Sequence, residues 1–276
     1  MGRIAFYTLI ERHILGLTQG RYGPKKVGVI GILQPIIDGL KLLKKEHILT
    51  YNITPSLFIG VVIISFSLIF IEFLSLPFEN SLLTINYRYL FIIIIVSLNV
   101  YNLILGGIFR KRKYSILGGI RAAIASVGYE VIFTLNIVIF ILYSKSCALI
   151  SIFNIGLFIL FISFFIRVLI ELGRTPFDYS ERERELVSGF NTEYSGVGFT
   201  LLFLKEYGRI IFFSVISSTI FFNNRIIIAI TLLFIIILLR SSLPRLRYDK
   251  MVGLIWLSIF FHMGVTFWCS FFILIV

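Results

Sequence analysis

Long apolar stretches, separated by short charged loops, alternate along this sequence. Most are long enough to cross a hydrocarbon core of about 30 Å, which takes about 20 helical residues. The longer runs cover 54–76, 88–109, 117–143, 147–172, 196–222, 225–241 and 250–276. A shorter run at 4–10 meets Glu11 and Arg12 and is predicted to be a poor first span. The pattern predicts an all-α polytopic membrane protein, a single membrane domain over 1–276 with about eight transmembrane helices, the first of them short.

Residues 34–46 show a different pattern, in which apolar and charged side chains share one helix. Ile36 and Leu40 recur at helical spacing opposite Asp38 and the lysines that follow it. Glycines and a proline in the preceding segment, 19–31, break helical structure. We therefore predict a loop followed by a basic amphipathic helix that lies on the membrane surface.

The composition supports the membrane class and limits the possible partners. The chain has 276 residues, of which 58% are hydrophobic and 14% charged, with a mean hydropathy of +0.97. A net charge of +12 could indicate a nucleic-acid partner, but the basic residues concentrate in alternate loops. The positive-inside rule predicts that asymmetry. The basic side is then the matrix or the cytoplasm, and no nucleic-acid partner is expected.

The stretch 171–195 is unusually acidic and lies on the basic side, between predicted helices five and six. Carboxylates are costly near a bilayer, so a cluster of them is expected to have a function. Like charges on one helix face, such as Glu181 and Glu185, favour a group that holds or releases a proton near neutral pH. A solvated loop in which Arg182 and Arg184 neutralise the carboxylates is the alternative. The acidic residues of the stretch, six of the fourteen in the chain, are Glu171, Asp178, Glu181, Glu183, Glu185 and Glu193.

Several carboxylates fall inside predicted spans. Glu130 lies roughly half way along its span, whose first residues are small and favour close helix packing. It is predicted to be either a protonatable site, the usual role of an intramembrane carboxylate, or a structural partner of an arginine. Glu171 follows Arg167 by one helical turn, and Glu206 also has basic neighbours, so local ion pairs are an open alternative there. Glu72 lies near a span end and is expected to reach the membrane interface.

Motifs for nucleotide, metal or nucleophilic chemistry are absent from the sequence. There is no glycine-rich nucleotide fingerprint, no HExxH and no nucleophile elbow. Cys147 and Cys269 have no paired spacing, so no disulfide framework, zinc site or iron–sulfur site is expected within the chain. The chain is therefore expected to bind no redox cofactor and no metal itself.

Four motifs follow one another along the chain. The first begins with ERHILG at 11–16, and the second includes YEV at 129–131. The third begins with RTPFD at 174–178, and the fourth is PRLRYD at 244–249. In sequence and in order these segments resemble subunit 1 of NADH dehydrogenase, the quinone-site membrane subunit of respiratory complex I. The resemblance covers nearly the whole chain.

This resemblance implies both a role and a set of site residues. The subunit would form the tunnel by which ubiquinone approaches an iron–sulfur cluster of a neighbouring subunit, and would couple quinone reduction to proton translocation. The complete assembly would be an NADH:ubiquinone reductase, with FMN and the iron–sulfur clusters held by partner subunits. The implied partners are other membrane-arm subunits, the quinone-site subunits of the peripheral arm, ubiquinone and membrane lipid. The implied proton path is Glu130, Glu171 and Glu206, and the implied tunnel and acidic-loop residues are Arg12, Arg21, Arg174, Asp178, Glu181, Glu183, Glu185 and Glu193.

Two features depart from the family pattern. Arg182 and Arg184 stand where the family usually has small or uncharged residues between the acidic ones. The first span is about a dozen residues shorter before Glu11 than a family member would have, and so falls short of a full crossing. A separate small peptide or accessory subunit is therefore expected to complete it.

The resemblance also implies a location, the mitochondrial inner membrane. No cleavable signal or Arg/Ser-rich presequence is recognisable at the start of the sequence. Phe, Ile, Tyr, Asn and Lys are used heavily, which fits an AT-rich genome, so an organelle-encoded, multi-pass protein is expected. Three alternative functions remain open: a secondary ion transporter, a homologous membrane subunit of a hydrogenase-type complex, and a structural anchor for a peripheral enzyme.

Overall fold

All regular structure that the computed structural model describes is helical. It describes residues 2–46, 55–77, 87–109, 111, 113–145, 157–177, 196–222 and 226–275, and no strand occurs in these ranges. A 3₁₀ turn at Val29–Gly31 precedes α2, and a π-helical segment, Leu254–Ile259, joins the last two helices. The helices are α1 (Gly2–Thr18), α2 (Gln34–Lys44), α3 (Pro55–Leu74), α4 (Arg88–Ile108), α5 (Lys113–Ser144), α6 (Leu157–Glu171), α7 (Gly196–Phe222), α8 (Ile226–Ser242), α9 (Tyr248–Gly253) and α10 (Phe260–Ile275).

These helices confirm the prediction of an all-α membrane protein. Three of them, Ser56–Leu74, Arg88–Ile108 and Lys113–Ser144, are long and apolar enough to cross a membrane. The amphipathic helix predicted at 34–46 is α2, and none of its residues is buried. The count of eight spans and the single domain over 1–276 remain predictions.

The first helix includes both of its charged residues. The sequence predicted a poor span with Glu11 and Arg12 in its middle, and α1 continues through both residues to Thr18. Glu11 forms an ion pair with Arg240 on α8, and Arg12 turns outward to Asp38 on α2. Each charge has a partner on another helix, so neither one interrupts α1.

Aromatic side chains form much of the core between α5, α6 and α7. The rings of Phe133 and Phe164 lie 5.9 Å apart, and those of Phe140 and Phe221 lie 4.9 Å apart in an edge-to-face contact. Phe164 also contacts Phe221 at 5.5 Å. Such pairs add to the stabilisation that burial provides. This packing fixes the helices that carry most of the buried charged residues.

Small residues let α4 and α5 cross closely, as the sequence predicted for the start of α5. A Cβ atom on Gly119 would lie 3.0 Å from the Cα atom of Gly107 and 3.1 Å from the carbonyl oxygen of Leu103. Both distances are shorter than nine in ten real Cβ contacts, so a larger residue at this crossing would require the neighbouring backbone to move by a few tenths of an ångström.

Candidate charge network and apolar groove

Glu171 ends α6 and contacts two buried arginines. Its Oε2 atom lies 3.8 Å from Nη2 of Arg167, one turn earlier on the same helix, which confirms the local pair that the sequence left open. Its Oε1 atom lies 3.3 Å from Nη1 of Arg209 on α7. Arg167 is only 1% exposed, and its guanidinium lies 3.5 Å above the ring of Phe133. That stack fixes Arg167, because a ring face attracts a cation.

Glu72 is buried among helices, although the sequence suggested that a carboxylate so near a span end could reach the membrane interface. It lies two residues before the end of α3, yet only 1% of its surface is exposed because α4 and α7 cover it. Nδ2 of Asn99 donates a 2.7 Å hydrogen bond to its Oε1 atom, and Nε of Arg209 lies 3.5 Å from the same oxygen. Arg209 therefore contacts the carboxylates of two helices. Sequence spacing gave no sign of this, because the contact joins distant parts of the chain.

Glu206 forms its ion pair with a residue from the neighbouring loop. Nη2 of Arg174 lies 3.6 Å from Oε2 of Glu206, and the guanidinium lies 4.6 Å from the ring of Tyr207. The Arg174 segment is itself anchored, because the amide of Leu246 donates a 2.9 Å hydrogen bond to the Pro176 carbonyl oxygen. The start of the stretch 171–195 is thus held against the connection between α8 and α9.

A small cavity of about 90 Å³ joins these ion pairs. Its polar wall is built by Glu171, Arg174, Lys205, Glu206 and Arg209, and Ser126 and Tyr129 of α5 add to the lining. A polar cavity of this size has room for a few water molecules. Buried nitrogen atoms of Arg167 and Arg209 have no hydrogen-bond acceptor among the described residues, so water in the cavity would satisfy the atoms that face it.

Glu130 lies one residue after Tyr129 on α5 and is half-buried. Its Oε1 atom is buried and has no hydrogen-bond partner within the described parts of the chain. No arginine lies within ion-pair distance of Glu130 there either, so the structural ion pair that the sequence left open is not formed in these ranges. Its role as a protonatable site remains a prediction.

A second polar contact ties α1 to α8. Nη1 of Arg240 donates a very short hydrogen bond to Oε1 of Glu11, which is 3% exposed. Tyr7, one turn earlier on α1, packs edge-on against Tyr207 of α7 with ring centroids 5.9 Å apart. Glu11 was not among the predicted site residues. The available signal was its position inside an apolar run, where an unpaired carboxylate is unfavourable.

Two other predicted basic residues lie at the surface near the start of the chain. Nη1 of Arg12 lies 2.7 Å from Oδ2 of Asp38, and Nε2 of Gln34 donates a 2.8 Å bond to the other oxygen of that carboxylate. Arg21 is exposed, and its Nε donates a 2.9 Å hydrogen bond to Gln19. Arg12 therefore fastens α1 to α2, whereas Arg21 stays within its own loop.

An apolar groove of about 590 Å³ runs between α1, α7 and α8. Tyr7 and Ile10 of α1, and Ile237 of α8, line the part closest in sequence to the Glu11–Arg240 pair. Phe6 and Ile230 line it further from that pair. The lining is therefore mostly apolar, with Arg3 as its one charged member among the described residues and the Glu11–Arg240 pair adjoining Ile10 and Ile237 in sequence.

The other predicted site residues lie outside the described residues, together with the two arginines between them. They are Asp178, Glu181, Glu183, Glu185 and Glu193, with Arg182 and Arg184. Within the described ranges, no group of three or more His, Cys, Asp and Glu side chains could hold a metal ion. Of the predicted site residues, the structure therefore brings together Glu171, Arg174 and Glu206 around the polar cavity.

Apolar helices packed around buried ion pairs define this chain as a polytopic helical membrane protein. A sequence model of the family described as NADH dehydrogenase matches residues 1–270. The chain is 39% identical to "NADH-ubiquinone oxidoreductase chain 1" of Aedes aegypti, over 95% of this chain and 91% of that protein. The protein of the same name from Branchiostoma lanceolatum is 37% identical over 92% of this chain and 86% of its own length. The chain belongs to the NADH dehydrogenase family, which confirms the resemblance.

Proposed function

We propose that this chain is the chain 1 membrane subunit of NADH-ubiquinone oxidoreductase in the mitochondrial inner membrane. Family membership and the names of its relatives support this role. Its partners are the other subunits of complex I, in the membrane arm and in the peripheral arm. FMN and iron–sulfur clusters reside in partner subunits, and ubiquinone is the substrate. This chain contributes a path for the quinone and a path for protons.

The observation that carries the coupling role is that two ion pairs, one buried and one partly exposed, line one polar cavity. Glu206 with Arg174 and Glu171 with Arg209 all line it. At an effective dielectric constant of about 20, two charges 4 Å apart interact by about 4 kcal/mol. A change in charge on one pair therefore alters the interactions of the next. A line of such groups conveys an electrostatic change without any electron carrier in this chain.

Reduction of ubiquinone supplies that change. The quinone accepts two electrons and takes up two protons, so charge develops and is neutralised near its headgroup. The acidic loop, with Asp178, Glu181, Glu183, Glu185 and Glu193, responds first by releasing or rebinding protons. Arg174, at the start of this loop, passes the effect to Glu206, and the cavity passes it to Glu171. Glu130, on the neighbouring helix α5, is the next carboxylate of the proposed path.

The groove between α1, α7 and α8 is the route for the isoprenoid tail. Its apolar lining suits a hydrocarbon chain, and the Glu11–Arg240 pair lies close to one end, where a polar headgroup would be favoured. Arg12 holds α2 against α1 beside this end, and Arg21 lies in the adjoining loop. The groove and the network share α7, so substrate entry and charge transfer meet on one helix.

Replacing Glu171 with glutamine is expected to at least halve the number of protons moved per electron. The amide cannot be ionised, so it stops relaying charge between the cavity and the rest of the path. Proteoliposomes that contain the intact complex, given NADH and ubiquinone with a pH-sensitive dye inside, would measure this ratio. The same assay applied to Glu130→Gln tests the protonatable role of Glu130.

The matched control is Asp249→Asn, which removes one carboxylate from an exposed ion pair with Arg247. Its proton-to-electron ratio should remain that of the unaltered complex. An unchanged ratio in both Glu171→Gln and Glu130→Gln would contradict the proton path. If the purified complex that contains the unaltered chain showed no inhibitor-sensitive ubiquinone reduction, the enzyme assignment itself would be contradicted.

Narrowing the groove is expected to raise KM for long-tailed ubiquinone. Ile230 is 48% exposed and lines the groove, so Ile230→Trp places a larger ring in the path of the tail. The expected increase is roughly three- to tenfold, which corresponds to about 0.7–1.4 kcal/mol of lost binding. A short-tailed quinone should be affected less, because its tail does not fill the groove.

The control is Ile235→Trp on the same helix. Ile235 is 42% exposed but does not line the groove, so its replacement adds the same ring elsewhere. Steady-state rates with both quinones would be compared for the two variants. Equal KM values for long-tailed quinone in both variants would exclude the groove as the access route.

A further inference from the structure

We propose that Glu72 is an additional functional carboxylate of the charge network, and that Arg209 links it to Glu171. This inference rests on the proposed coupling function and extends the network to α3. Neither residue was among the site residues that the family resemblance implied. Both were recognised only from their contacts across three helices.

The environment of Glu72 differs from that of a simple structural ion pair. Its Oε1 atom receives both the Asn99 hydrogen bond and the closest approach of Arg209. Its Oε2 atom is buried and has no hydrogen-bond partner among the described residues. A carboxylate buried for stability alone is expected to have all of its lone pairs satisfied. The unsatisfied oxygen leaves a position at which a proton can bind.

Arg209 is shared between two carboxylates and is bound tightly by neither. Its Nη1 atom lies 3.3 Å from Glu171, and its Nε atom lies 3.5 Å from Glu72. Strong charge-assisted hydrogen bonds are about 2.7–2.9 Å long, so both contacts are loose. A small shift of the guanidinium would shorten one contact and lengthen the other. Arg209 can therefore occupy two positions, one closer to each carboxylate.

The surroundings allow Arg209 to move while Arg167 stays in place. Arg209 lines the polar cavity, whereas Arg167 is stacked on Phe133. Lys205, also on α7 and also buried, lines the same cavity. When Glu171 accepts a proton, its attraction for Arg209 falls, and repulsion from Arg167 favours the position closer to Glu72. When Glu72 accepts a proton, Arg209 moves back to Glu171.

Arg209 thus makes protonation of the two carboxylates mutually dependent. A proton on one of them draws the guanidinium to the other, which then remains ionised. The carboxylates would therefore be protonated in alternation, and the effect of quinone reduction at Glu171 would reach α3 and α4 through a side-chain shift. No covalent bond changes in this step, and only protons and the guanidinium move.

The first test is Glu72→Gln in the intact complex. Glutamine keeps the size of the side chain and can still accept the Asn99 hydrogen bond, so assembly should be normal. The expected proton-to-electron ratio falls at least twofold, whereas uncoupled ubiquinone reduction stays within about twofold of the unaltered rate. Asp249→Asn again serves as the control. An unchanged ratio in Glu72→Gln would overturn the inference.

A second variant tests the link itself. Arg209→Lys keeps the positive charge, but an ammonium group is a single point charge that cannot reach both carboxylates as the fork of arginine does. The number of protons moved per electron should fall as it does in Glu72→Gln, although the complex assembles. Infrared difference spectra recorded on quinone reduction should lose a carboxyl band in Glu72→Gln, which a purely structural role would not alter. Retention of every carboxyl band would count against the inference.

Different results would contradict the proposed proton path through Glu171 and its extension to Glu72. If Glu171→Gln lowers the ratio and Glu72→Gln does not, the extension to α3 is wrong and the proposed function stands. If neither variant changes the ratio, the proton path through this chain is wrong as well. If both variants lower the ratio and Arg209→Lys does so too, the link through Arg209 is supported.

Discussion

Arg209→Leu is expected to prevent the assembled complex from accumulating. Leucine would remove the arginine that forms ion pairs with both Glu72 and Glu171, and would leave Glu171 with its Arg167 ion pair. Breaking a buried ion pair from one side costs about 3–5 kcal/mol, a large part of the 5–15 kcal/mol that typically stabilises a folded domain. The amount of intact complex on native gels, relative to the unaltered chain, would measure the loss.

Two further variants determine whether the lost charge causes the lower amount of complex expected for Arg209→Leu. Arg247→Leu removes an arginine whose side chain is 78% exposed, so the complex should accumulate normally. Arg209→Leu combined with Glu72→Leu removes one carboxylate together with its counter-charge, and should recover much of the lost complex. A double variant as poor as Arg209→Leu alone would show that packing around residue 209 matters more than charge.

Glu11→Leu is expected to loosen α1 from α8 and to destabilise the complex by roughly 2–4 kcal/mol. The cost should be smaller than for Arg209 because the Arg240 side chain is 23% exposed and water can partly solvate the guanidinium that remains. Resistance of the purified complex to heat and detergent, with retention of this subunit as the readout, would detect the change. Ubiquinone KM should also rise, since Tyr7 and Ile10 on the same helix line the groove.

A double-mutant cycle can measure the interaction between Glu11 and Arg240. Glu11→Leu with Arg240→Leu removes both charges, so the double variant should be more stable than either single one. The matched control is Asp38→Asn, which breaks the exposed ion pair with Arg12 and should cost less than about 1 kcal/mol. Additive losses in the double variant would show that Glu11 and Arg240 do not stabilise each other.

Local pattern was sufficient to predict several parts of the site. A spacing of one helical turn correctly indicated the contact between Arg167 and Glu171, because backbone geometry alone brings such side chains together. The glycines at the start of α5 likewise indicated close helix packing, which occurs between Gly107 and Gly119. Glu130 and Glu206 were recognised as unusual because a carboxylate in an apolar run is unfavourable wherever the run packs.

Contacts between distant parts of the chain could not be predicted in this way. Glu72 was expected at the interface because it lies near the end of a span, and the sequence does not indicate which helices cover that end. Glu11 and Arg240 are 229 positions apart, so no spacing rule relates them. The groove could not be predicted from spacing either, since its walls come from three helices whose arrangement depends on their packing.

The sequence by itself determined the class of protein, most of its helices and its family. Apolar runs of this length can satisfy their backbone groups in lipid only as helices or in closed barrels, and the motifs at 11–16, 129–131, 174–178 and 244–249 are long and specific. Only the tertiary structure decided which charges are partners. Side chains on separate helices meet through packing rather than through chain spacing, so Arg209 became the link between Glu72 and Glu171 only once α3, α6 and α7 were assembled.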